Sequence, residues 1–249
     1  MIAPLLPSPN LLEMLDNPDY PNDLRLTKLF DSSFDRLSRN EKEALISLTV
    51  FHCGDIYTDA AVAVIGGNKT VARRTLNILA RKSLIDQDSD SKIFSLHPLI
   101  QSFAFEKAEN EFKEAAFWSF NRFSKYYLFI FEELNEQYLT GSSLSAYLAF
   151  IQEKENIARG LCLSLNYEEL RDKTFDVLAK AELFLHFLND AQIYDHMHVY
   201  QGAIETAKKL KNESAYCKLV VSEFFQAIFL RGVRLIPVDV KERIALMRD

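Results

Sequence analysis

Glycine and proline are scarce in this chain, with seven of each among 249 residues. Five of the prolines (Pro4, Pro7, Pro9, Pro18 and Pro21) fall in the first 21 residues, and between Pro21 and Ile236 the only proline is Pro98. A β-sandwich or barrel needs a turn signal every roughly 8–12 residues, so this scarcity excludes one and leaves long helices. Cysteine is rarer still. Cys53, Cys162 and Cys217 are odd in number and widely spaced, which excludes the dense disulfide framework of a small secreted domain and predicts three free thiols with packing roles. The most apolar runs, Tyr126–Phe131 and Ala181–Leu188, fall far short of the roughly 18–20 residues that cross a bilayer. Met1–Pro7 also lacks the basic and apolar regions of a signal peptide. Together these absences predict a cytoplasmic protein with no membrane partner.

The residues of catalysis and metal binding are missing as well. His52 adjoins Cys53, and His196 and His198 are two apart, whereas a helical metal site needs ligands three or four apart. There is no Gly-x-Ser-x-Gly and no Cys/His pair with an orienting group. The expectation is no enzyme, no metal and no cofactor in this chain. Gly66-Gly67-Asn68-Lys69-Thr70 has the ending of a phosphate-binding loop, but Val62 stands where its first glycine belongs, so a plain helix-to-helix turn is expected. Glu132-Glu133 and Glu153/Glu155 read as solvated helix charges.

What is present is ample apolar material, 48% of residues, with an ordinary 26% charged. The formal charge of −6 disfavours broad contact with phosphate backbones without excluding a local basic patch. Residues 1–23 read as a connector, with a short helical turn at Leu11–Leu15. Over 24–110 the pattern is compact. Ser38-Arg39-Asn40-Glu41 opens a helix carrying Ala44, Leu45, Leu48 and Phe51. Thr58 is placed to cap a second helix over Asp59–Ile65, which Gly66-Gly67 ends. A third helix runs from about Lys69 to Lys82 on an Ala72/Leu76/Leu79 face. Leu84–Asp88 and Lys92–Leu96 read as a hairpin around Ser89-Asp90-Ser91, and Pro98 suits the first position of a fourth helix. Three helices and a hairpin make a winged-helix pattern. Residues 111–249 read instead as successive helices without a sheet: Glu111–Leu139, Leu144–Leu165, Tyr167–Leu188, Ala191–Leu210 and Ser214–Arg231, with another starting near Val238. Short links between them make a bundle or an α-solenoid. A solenoid stopping at Asp249 would lack a capping repeat, so a truncated array is expected.

Three features invite a functional reading. Lys69, Arg73 and Arg81, with Asn77 among them, recur in steps of four on the third helix, a face for nucleic acid or for plain solvation. The aromatic density of Phe117–Phe131 suits core packing, or a ligand groove. His97 sits between a strand and a helix start, where anions are favoured; it is a ligand contact or a capping, packed histidine.

The combination of Phe34-Asp35-Arg36-Leu37-Ser38, Glu41–Phe51, Leu76–Ile85 and Phe94-Ser95-Leu96-His97-Pro98-Leu99-Ile100 resembles the winged-helix domain of NB-ARC type, STAND-class signal-transduction NTPases, a class that includes apoptotic and innate-immune receptors. Phe123-Ser124-Lys125-Tyr126-Tyr127, Phe150–Glu153 with Asn156-Ile157, and Ala203–Leu210 resemble the tetratricopeptide-type repeats found downstream in animal members. The resemblance implies a mainly α protein, with a winged helix over 24–110 followed over 111–249 by an α-solenoid of repeat-like helical hairpins. It implies that residues 1–23 are the tail of an upstream helical subdomain, and that the P-loop lies upstream of Met1. In the family a Met-His-Asp motif contacts the β-phosphate of ADP. The matching positions are Leu96, His97 and Pro98, so only His97 is kept. ADP or ATP is then expected only in the intact protein, and the partners are the upstream nucleotide-binding domain and a protein ligand or effector on the repeats. The alternatives are a winged-helix transcription regulator with a helical effector domain, or a helical interaction scaffold. Sequence-specific duplex binding is not expected.

Overall fold

The computed structural model describes residues 30–51, 55–88, 92–181 and 194–231, with backbone alone at 194–198 and 224–231. The chain forms two compact units, one reaching to Phe123 and the other beginning at Ser124. Residues 1–23, His52, Cys53, the turn at 89–91, the helix expected near Val238 and the side chains of His196 and His198 lie outside what is described.

The described part of the first unit begins with a helical segment over 30–35, followed by α1 (Arg39–Leu48). Ser38 starts α1 through a capping box: the Glu41 carboxylate accepts the Ser38 N–H at 2.7 Å while Ser38 Oγ accepts the Glu41 N–H at 3.4 Å. Two orphan donors are satisfied at once. Then come β1 (Ile56–Tyr57), α2 (Thr58–Ile65), α3 (Lys69–Arg81), β2 (Asp86–Gln87), β3 (Ile93–Ser95) and α4 (Pro98–Asn110). The three strands form an antiparallel sheet in the order β1-β3-β2, with Ile56 opposite Phe94 and Asp86 opposite Ser95. The expected hairpin is therefore its β2–β3 part, and β1 is an addition to it. Thr58 does not cap α2. Tyr57 holds the cap position but makes no side-chain capping bond to the helix start, and Thr58 donates both its N–H and its hydroxyl to the Lys92 carbonyl at 2.9 Å. Joining the sheet competes with capping, and the sheet wins.

Asn68 caps α3, its Oδ1 accepting the Thr70 and Val71 N–H groups. The Gly66–Thr70 stretch is thus the helix-to-helix turn read from sequence. Apolar side chains fill this unit: Leu45, Leu48, Leu76, Leu79 and Phe94 are all at or below 2% exposure.

α5 (Lys113–Leu139) is followed in the second unit by α6 (Ser143–Ser164), α7 (Glu168–Lys180), α8 (Tyr194–Lys209) and α9 (Glu213–Arg231). Among the described residues the second unit has no strand, as the sequence pattern implied. One boundary differs. The helix expected over Tyr167–Leu188 ends at Lys180, where the buried Ala181 turns its N–H back to Val177 and Leu178 in a tightened last turn. Cys162 and Cys217 are exposed, so packing is not their role, and neither is in a disulfide.

Candidate functional site

His97 is the N-cap of α4, and Pro98 occupies the first helical turn. Proline supplies no N–H, so the first donor needing a partner is Leu99, which donates to His97 Nδ1 at 3.2 Å. The side chain is exposed. A ring nitrogen that accepts carries no proton, which puts the proton of the neutral imidazole on Nε2. The local cap consequently occupies one nitrogen and leaves the other as a donor. No acidic residue stands in the first turn of α4, so nothing there opposes the partial positive charge of the helix terminus. The sequence left a contact and a cap as alternatives. The cap is present, and it does not consume Nε2.

The basic stripe of α3 is also exposed. Lys69, Arg73 and Arg81 are exposed, whereas Ala72, Leu76 and Leu79 of the same helix are buried. Arg74, which a search in steps of four passes over, is exposed as well, and α3 contains no carboxylate. Arg73 is engaged by Asp59 of α2 at 2.9 Å, and the Gln87 amide reaches Asn77 at 3.4 Å. His97 and the α3 stripe are separate features, on α4 and α3 respectively, and no hydrogen bond or ion pair joins them among the described residues.

A third polar constellation departs from the sequence expectation. Glu153 is not a solvated charge: its carboxylate accepts the hydroxyl of the fully buried Tyr127 at 2.5 Å, and the Asn156 amide bonds both. Burial pushes the Glu153 carboxyl up, partly countered by the bonds from Tyr127 and Asn156. Burial also pushes the Tyr127 hydroxyl up, and the adjacent carboxylate adds to it. The missed signal was spacing: Glu153 lies three residues from the buried Phe150 and four from Ile157, on the inward face of α6. Of the aromatic run, Phe123, Tyr127 and Phe131 are core, while Phe117, Trp118 and Phe129 are exposed.

Among the described residues no cluster of three His, Cys, Asp or Glu side chains could hold a metal, and no helix is long and apolar enough to cross a membrane. Comparison with family models, curated proteins and solved structures finds no match.

Proposed function

We propose that the chain is the regulatory, partner-sensing part of a STAND-class, NB-ARC-type signalling protein. The first unit is a winged helix that closes on ADP held by a nucleotide-binding domain, and the helices of the second are tetratricopeptide-like hairpins that present a surface to a protein ligand. Binding at the repeats shifts the closed–open equilibrium. The order helix, strand, two helices, two strands supports the winged-helix reading. The carrying observation is His97, exposed at a helix start with Nε2–H available as a donor. A hydrogen bond to a charged group contributes about 1.5–3 kcal/mol, so His97→Ala should weaken ADP retention by about ten- to a hundredfold. The test measures ADP carried by the protein together with its nucleotide-binding domain. Unchanged retention refutes the reading.

One observation favours a second reading, a winged-helix transcription regulator: the exposed face of α3 carries Lys69, Arg73, Arg74 and Arg81 and no acid. Against it stand the Arg73–Asp59 pair and the acidic β2 residue Asp86. A gel shift at physiological salt decides, since nanomolar, sequence-selective binding belongs only to the regulator.

A further inference from the structure

The first unit contains a cavity of about 520 Å³ bounded by α1, the α2–α3 turn, α3 and the start of α5. That volume lies within the roughly 300–1,000 Å³ of small-ligand sites. Small residues, among them Ala44, Ala72 and Ala115, line it and leave it open, and Trp118 and Val71 supply apolar wall while remaining 48% and 54% exposed. Large apolar side chains at a cavity wall gain from being covered.

Arg122 brings charge to this space. Its position is fixed by the turn: Nε donates to the Val64 carbonyl at 2.6 Å, near the C-terminus of α2, and Nη2 lies 3.5 Å from Ser119 Oγ. Gly66 makes room for it. Its φ of +78° belongs to the region that favours glycine, and a Cβ there would meet Arg122 Cδ at 2.8 Å. The guanidinium is half-buried, yet Arg122 joins none of the ion pairs formed among the described residues. Glu43, the acid that acts on it electrostatically, is hydrogen-bonded to Arg39 at 2.8 Å. A half-buried cation held by neutral acceptors, with most of its planar fork of donors uncommitted, is matched by a carboxylate.

We propose that this cavity binds a monoanionic carboxylate ligand with an apolar body, the carboxylate on Arg122 and the body against Trp118 and Val71. The lining limits the charge. It contains two cations, Arg39 and Arg122, against three carboxylates, Glu43, Glu111 and Glu114. A dianion such as a phosphate ester meets more repulsion than a monoanion does. The carboxylate comes either from a small organic acid or from the free C-terminus of a peptide ending in a large apolar residue. This site does not depend on the STAND reading.

Trp118 is the only tryptophan of the chain, so its emission reports on this cavity. The probes, titrated into the whole chain, are 4-phenylbutyrate, its neutral amide, phenyl phosphate, and acetyl-Leu-Phe with a free or amidated C-terminus. A saturable shift with a Kd on the order of 1 mM or tighter is expected for at least one free carboxylate. It should be at least about tenfold weaker for the matching amide and for phenyl phosphate. Whichever carboxylate binds tighter identifies the source. Arg122→Gln should weaken binding at least about tenfold. If that variant fails to fold, Val71→Glu decides: the position is exposed and third in α3, where an acid suits the helix start, so the fold should survive while a carboxylate ligand is repelled. Amides binding as well as acids, no saturable shift with either acid, or full affinity in Val71→Glu would overturn the proposal.

Discussion

The two units handle buried polar groups differently. In the first, they mostly turn back on their own helix: Ser47 to the Glu43 carbonyl, Thr49 to Ile46, Thr75 to Val71. The contact of Ser119 Oγ with Ser47 Oγ, at 2.8 Å, is an exception. In the second unit they also reach across: Tyr127 to Glu153 joins α5 to α6, Ser164 and Thr174 turn back to Leu161 and Leu170 but also meet each other and join α6 to α7, and Tyr200 of α8 reaches the Leu178 carbonyl of α7 and Ser222 of α9. The first unit has distinctive caps, glycines and a small sheet to place each element. The second is built of similar helices that could slide past one another. Hydrogen bonds that exist in only one register remove that freedom, because a slipped helix leaves a buried polar group unpaired.

The largest loss of stability is expected at Tyr127. Its ring is fully buried, and Gly160 of α6 lets it approach so closely that a Cβ there would sit 2.5 Å from the Tyr127 Cβ. Tyr127→Ala should destabilise the second unit by about 3–5 kcal/mol, read from denaturant midpoints.

The two units also differ in how they respond to pH. Glu153 has its carboxyl pushed up by burial. Its stabilising contribution is therefore complete below the ordinary carboxylate value and is lost as pH rises through the higher folded value. Glu41 is the reverse. The Ser38 N–H, then Lys82 at 3.0 Å, hold it below the ordinary value, so its contribution is present above that range and is lost as pH falls through the folded value. Midpoints of Glu153→Gln and Glu41→Gln, followed from pH about 4 to about 8, should differ from the parent in opposite directions: the first relatively more stable towards neutral pH, the second relatively less. Parallel profiles would remove the contrast.

Two smaller effects are expected in the first unit. Ser38→Ala breaks the capping box and should cost about 1 kcal/mol in the first unit. Arg73→Ala removes an exposed pair with Asp59 and should change stability by less than about 1 kcal/mol.

The first unit was legible where one residue type carries one backbone demand. Ser38 with Glu41, Gly66, and His97 with Pro98 each name a helix end, and each is found there. β1 was not legible, because a two-residue strand has no alternation to detect. Thr58 misled for a related reason: its hydroxyl serves a cap or a sheet equally, and the partner that decides, Lys92, is distant in sequence. In the second unit helix periodicity was legible and inter-helix pairing was not. Glu153 is indistinguishable from the exposed Glu155 until Tyr127 is seen opposite it. Arg122 was hidden in the same way, inside a run of aromatics, with its acceptor on Val64.

The cap at α4 has a consequence in proton accounting. His97 Nδ1 serves the helix only while it is unprotonated, because a second ring proton would point at the Leu99 N–H that the nitrogen now accepts. An anion held through Nε2–H leaves that arrangement whole, and no proton need be taken from solvent. Heats of ADP binding measured in buffers of different ionisation enthalpy should therefore coincide. If the ring instead became doubly protonated, and so singly charged, to meet the phosphate, each buffer would return a different heat, and the first turn of α4 would lose its cap in the same event.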